Sequence, residues 1–183
     1  MMRRALAATL LSLAAWSCAN APVPNRGGDF TLINQDGQRM SLHDLKGKSV
    51  LLFFGYTHCP DACPTMLSKL TRVYRLLGDQ KKLVQTVFVS VDPDRDSPSS
   101  LKEYLSNFSI PVIGMTGPKA RIDQAISAYG GSYEITPSKS AAGPAVAHTT
   151  WLYLIDKEGQ LRAQFEPGED AEKIAGFVRQ VTD

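Results

Sequence analysis

Histidine and cysteine are scarce in this chain, three of each among 183 residues, and tryptophan occurs only twice. Cys18 lies close to the N-terminus, so a folded domain downstream has only Cys59 and Cys63, with His43, His58 and His148. A closed structural zinc site wants four protein ligands, and this set supplies them only if a second histidine or a carboxylate joins. Charge of one sign is also missing. Twenty basic residues balance 18 acidic ones to a formal +2, and no Lys/Arg block interleaves with aromatics, which excludes a nucleic-acid surface. No internal repeat or low-complexity tract occurs. A length of 183 residues fits one ordinary domain.

No apolar run reaches the roughly 20 residues that cross a bilayer. The N-terminus has a shorter one: Arg3 and Arg4 form a basic start, and Ala5 to Ala15 carries no charge. That pattern reads as an export signal. Cys18 follows Ala15-Trp16-Ser17, a loose version of the small-residue site at which a lipoprotein is cut and its new N-terminal cysteine acylated. Cleavage after Ala21 is the rival, since Ala19-Asn20-Ala21 fits the small-x-small rule. The division expected is an export segment over 1–18, a polar linker over 19–28 and a domain over 29–183, membrane-tethered and facing the periplasm or outer side of the cytoplasmic membrane. A cysteine pair in that oxidising compartment is redox-active, metal-protected or disulfide-bonded.

Along the domain, Phe30 to Ile33 and Arg39 to Leu42 flank Asn34-Gln35-Asp36-Gly37 and predict a β-hairpin. Val50 to Tyr56 is a proline-free apolar run of the kind buried on both faces of a sheet. The periodicity of Leu67, Leu70, Tyr74 and Leu77 predicts a helix from about Pro64, and Val84 to Val91 a second buried strand, completing a βαβ unit. Helices are expected over Pro98–Phe108, Pro118–Tyr129 and Glu169–Val181, with a short extended piece over Pro111–Met115. Ser132 to Ala147 reads as a long polar loop. Thr149–Ile155 and Gln160–Phe165 form a hairpin across Asp156-Lys157-Glu158-Gly159. The order describes an α/β sandwich of the thioredoxin-like, peroxiredoxin-like kind with an N-terminal β-hairpin.

Cys59 and Cys63 stand at the exit of the most buried strand and the entry of the next helix, where open α/β sheets place their sites. A helix N-terminus favours thiolate, and Cys63 is the residue expected to benefit. Thioredoxin-type redox motifs separate their cysteines by two residues. Here three intervene, Pro60, Asp61 and Ala62, leaving room for both sulfurs to face one soft ion, Cu(I) or Zn(II). A disulfide remains feasible. Among the histidines His148 is the best third ligand, because it ends the long loop and opens a strand expected beside the first. His58 would point away from its neighbour, with a packing or tuning role as the alternative to ligation, and His43 reads as surface. Asp92-Pro93-Asp94-Arg95-Asp96 reads as turn and cap chemistry, or as an acidic rim for a partner.

The segment Phe53-Phe54-Gly55-Tyr56-Thr57-His58-Cys59-Pro60-Asp61-Ala62-Cys63-Pro64-Thr65 resembles the signature of the Sco/SenC family. Val89 to Pro98 resembles that family's second block, and His148-Thr149-Thr150 leading into Tyr153-Leu154-Ile155-Asp156 its third. The resemblance runs from about Gly28 to the end. It implies a thioredoxin-like fold, anchored to a membrane outside the cytosol, that binds Cu(I) or Cu(II) through Cys59, Cys63 and His148. It also implies a role in assembling the CuA centre of cytochrome c oxidase, as copper donor, as reductant of the target cysteines, or both. The partners expected are the CuA-bearing subunit and a protein that supplies the copper. One residue departs from the pattern: the family commonly has an acid before the ligand histidine, and here it is Ala147, with Glu134 a possible substitute.

Three other functions share the scaffold. A thiol-disulfide oxidoreductase would use Cys59 and Cys63 as a catalytic pair and depend little on His148. A thiol peroxidase is disfavoured, because the position that would be proline upstream of the cysteine is aromatic. A copper sensor would share all of the site chemistry. Ordinary members of the fold place a cis-proline against the cysteine pair, and His148 is expected in that slot.

Overall fold

The computed structural model describes residues 23, 25–138 and 143–182. The export segment with Cys18 lies outside the described residues. Among the described residues no helix is long and apolar enough to cross a membrane. Val23 and residues 25–28 run along the domain: the Val23 N–H donates to Leu161 O and the Gly27 N–H to Ala128 O, each at 2.8 Å.

The expected N-terminal hairpin forms as β1 (Thr31–Asn34) and β2 (Arg39–Ser41), closed by Gly37 at positive φ. β3 (Ser49–Gly55) is buried along its whole length, as its unbroken apolar run requires. After it come α1 (Ala62–Leu77), β4 (Val84–Ser90), α2 (Pro98–Leu105), β5 (Val112–Thr116) and α3 (Lys119–Ala128). Ser97 caps α2 by accepting the Ser100 N–H at 3.1 Å, and Pro98 takes its tolerant first position. Two short 3-10 turns, Leu42–Leu45 and Gly78–Leu83, carry no periodic signal and are not foreseen.

The predicted loop over Ser132–Ala147 is instead largely a hairpin, β6 (Tyr133–Thr136) against β7 (Ala145–His148). Tyr133 and Ile135 alternate with exposed Glu134 and Thr136. That is the period-two pattern of a strand, overshadowed in the sequence by Pro137, Gly143 and Pro144, which belong to the connection. β8 (Leu152–Ile155), β9 (Leu161–Phe165) and α4 (Ala171–Thr182) complete the chain. α2 stops at Leu105 rather than Phe108, where a run of turns begins.

Seven strands make one sheet in the order β2-β1-β5-β4-β3-β8-β9, with β4 parallel and β8 antiparallel to central β3. Alternate residues of β3 feed two cores. Leu51 and Phe53 meet α1, α2 and α4 on one face; Val50, Leu52 and Phe54 meet α3 and Val146 of β7 on the other. β6 and β7 form a separate two-stranded sheet, an arm laid over the second core. Cys59 packs against both cores, so the cysteine loop sits where the two halves meet at the C-terminal end of β3.

Candidate metal centre

α1 begins at Ala62, two residues earlier than the periodicity indicates. That shift reverses the expected roles of the cysteines. Cys63 lies inside the first turn with its side chain in the core, 1 % exposed, while half-buried Cys59 stands just ahead of the helix. The Cys63 N–H therefore points at Cys59 Sγ, 3.4 Å away. Both thiols are free. The hydrogen bond from the Cys63 thiol, helped by backbone N–H groups of Cys63 and Asp61, outweighs burial and lowers the Cys59 pKa to about 4. The same hydrogen bond, together with burial, pushes the Cys63 thiol far up. One thiolate and one thiol thus share a proton, and Cys59 rather than Cys63 is the activated sulfur.

Gly55 makes room for this arrangement. A Cβ built there would lie 2.5 Å from Cys63 Sγ and 2.8 Å from the Phe88 ring, so only hydrogen fits at the end of β3.

His148 arrives from the end of β7, not from the start of the strand beside β3, which opens at Leu152. No peptide bond among the described residues is cis. Its Nδ1 lies 3.0 Å from Thr149 O. A carbonyl only accepts, so Nδ1 carries the proton and Nε2 keeps a lone pair for an ion. The imidazole packs edge-on to Tyr56 at 5.7 Å. Ligand atoms of Cys59, Cys63 and His148 all lie within 4.8 Å of one another, close enough for one metal ion. Two sulfurs and one imidazole form a soft donor set suited to Cu(I).

His58 and His43 stay outside that group. His43 is exposed, and His58 is exposed with its Nδ1 3.0 Å from Thr57 Oγ1. Thr57 Oγ1 donates in turn to Asp96 at 2.6 Å, and Asp96 also accepts from the Thr57 N–H at 2.9 Å and from Ser90 Oγ at 2.6 Å. Asp96 is fully buried and Asp92 nearly so, paired with Arg95. The acidic-rim reading of 92–96 is thereby corrected. These carboxylates hold the cysteine loop and the β4 turn from beneath, and only Asp94 of the three is exposed. Nothing in one sequence marks a turn aspartate as buried. Tyr56 and Arg95 were likewise invisible as site neighbours. Glu134 pairs directly across the arm with Ala147, while Tyr133 pairs with His148. The carboxylate thus lies on the strand face of Ala147 and on the opposite face from the His148 ring.

The SCO1/SenC family profile matches residues 19–183. An SCO2-like protein of Rickettsia felis is 35% identical over 154 residues, covering 84% of this chain and 75% of that one. The structure of Bradyrhizobium japonicum ScoI with copper bound superposes with a TM-score of 0.77 at 37% identity, covering 85% of this chain and 99% of that one. BsSco, described with a disulfide switch as a member of the Sco family of cytochrome c oxidase assembly proteins, gives 0.69 at 26% identity over 88% and 95%. A SCO1/SenC family lipoprotein from Bacillus anthracis gives 0.74 at 27% over 88% and 98%. The expected thioredoxin-like α/β architecture is the one these Sco structures share. With its cysteine pair at the end of β3, its histidine on the β6–β7 arm and a match across the whole domain, this chain belongs to the SCO1/SenC family.

Proposed function

We propose that this protein is a copper metallochaperone that carries one copper ion on Cys59, Cys63 and His148 and delivers it to the CuA-bearing subunit of cytochrome c oxidase. The observation that carries the reading is the convergence of two sulfurs and one imidazole, from separate elements, within 4.8 Å. Copper bound to the B. japonicum neighbour supports the choice of ion, and the assembly role printed for BsSco's family supports the destination. Three protein ligands leave an edge of the ion free, so a receiving protein can take over one ligand at a time. In this reading a separate donor protein loads the site. The chain is exported and acylated at Cys18, which tethers it to the membrane, a reading that the B. anthracis lipoprotein supports; Val23 and residues 25–28, which the sequence assigned to a linker, lie against the domain instead.

Anaerobic titration of the reduced protein with copper against a competing chelator tests this, with His148→Ala in parallel. A 1:1 endpoint and a thiolate-to-copper(II) absorption band, both weakened in His148→Ala, are expected. Binding indifferent to His148 would overturn the site.

The sharing of one proton between Cys59 and Cys63 favours a second activity, reduction of the target's disulfide. The Cys59 thiolate attacks one target sulfur and expels the other as thiolate, which takes up a proton. Cys63 then loses its proton and attacks Cys59, releasing the second target thiol and leaving a Cys59–Cys63 disulfide. A CuA apo-domain in disulfide form, mixed with reduced copper-free protein, should gain two thiols per chain oxidised.

A further inference from the structure

We propose that Arg95 is a positioning residue that clasps the β6–β7 arm and so sets how long His148 stays on the ion; the inference rests on the copper reading above.

Among the described residues the arm makes no strand pairing with the main sheet. Its base is tied, with the Thr149 N–H on Ser132 O at 2.9 Å and the Ser132 N–H on Thr149 Oγ1 at 3.0 Å. β6 is tied as well: the Tyr133 hydroxyl donates to Asp123 at 2.7 Å, and Lys119 lies 5.0 Å over the Tyr133 ring. The strand that carries His148 is held differently. At its far end Pro144 O accepts Arg95 Nη2 at 3.1 Å. Arg95 Nε meanwhile binds Asp92 Oδ2 at 2.5 Å, and Asp92 is buried beneath the end of β4.

One planar guanidinium thus bridges the main sheet and the separate two-stranded arm. Its carbon also lies 5.8 Å from the centroid of Tyr56, whose ring is the edge-on neighbour of His148. Arg95 therefore touches the arm at Pro144 and, through Tyr56, the surface against which the imidazole rests. Gly143 completes the fit: with φ at +76°, its missing Cβ would fall 2.9 Å from Arg95 Nη1. The fork is the needed chemistry, because an ammonium has one nitrogen where the guanidinium reaches two acceptors with fixed geometry.

Arg95→Lys keeps a positive charge beside buried Asp92 while removing the second arm of the fork, so the fold survives. Copper release to a competing chelator should then quicken by about five- to tenfold, the scale of one ordinary net hydrogen bond, and amide exchange over 145–148 should rise. If Arg95 acts through His148, the substitution has no such effect in a His148→Ala background. Arg95→Met with Asp92→Asn, which removes the ion pair as a unit, should reproduce the faster release. Unchanged release in Arg95→Lys, or an equal acceleration with and without His148, would overturn the clasp. If His148→Ala alone leaves copper binding intact, it is the copper site that fails instead.

Discussion

The shared proton between Cys59 and Cys63 makes a signed prediction about pH. Between the Cys59 pKa of about 4 and the ordinary thiol range near 8.5, the native pair holds one proton and the unfolded chain two. The unfolded state binds more protons there, so stability rises with pH across that window. Above it the unfolded chain holds none while Cys63, raised by the hydrogen bond to Cys59 and by burial, keeps one, and stability falls again. Urea midpoints of the reduced, copper-free protein, corrected against Cys59→Ser, should trace that rise and fall; a rising limb that persists in Cys59→Ser would refute the assignment. At Gly55 the expectation is steric. Gly55→Ala forces Cys63 Sγ and Phe88 to move, at a cost of about 1–3 kcal/mol by overpacking, and weakens copper binding in titration. Asp96→Asn leaves three donors facing a poorer acceptor. It should loosen the Thr57 turn, read as faster amide exchange at Thr57 and Ser90.

At the scale of elements, stability and copper chemistry separate. Leu70 of α1 is fully buried in the core shared with α4. Leu70→Ala should lower unfolding free energy by about 2–5 kcal/mol while leaving copper stoichiometry at one. Val146 is the residue by which β7 joins the second core. Val146→Ala should do the reverse, with a smaller change in denaturant midpoint but weaker copper retention, since it loosens the strand that carries His148. The strands and helices that build the cores were legible because their apolar residues recur at period two or 3.6, or run unbroken as in β3. The arm was not, because Pro137, Gly143 and Pro144 dominate its composition and its strands bury only one side. The early start of α1 was hidden too. Pro64 is tolerated throughout a first turn, so it does not mark which residue opens the helix.

For the whole molecule, binding to the folded state alone means that copper and stability are linked. One equivalent of copper should raise the melting temperature of the reduced protein, and His148→Ala should shrink that rise. That Cys59, Cys63 and His148 come together was legible before any coordinates, from scarcity, from a motif dense in cysteine, proline and aromatics, and from the family resemblance that motif carries. Its division of labour was not, because which sulfur meets the helix N–H depends on a two-residue difference in where α1 begins. The buried supports Asp92, Asp96 and Arg95 escaped for a related reason: charged residues in a turn look the same in sequence whether they face water or a core.

Cys59 and Cys63 are neighbours in the chain, whereas His148 reaches them only after β4, β5 and α3 have been threaded and the arm laid down. With copper as the proposed cargo, refolding therefore offers the ion two sites in succession. A sulfur-only pair is available almost at once, and the imidazole is added when the long-range topology closes, the slowest kind of contact to form. Copper included in a stopped-flow refolding experiment would act as an internal clock without any added dye. Early thiolate absorption would mark local structure at the β3–α1 corner, and its later His148-dependent change would time completion of the native fold.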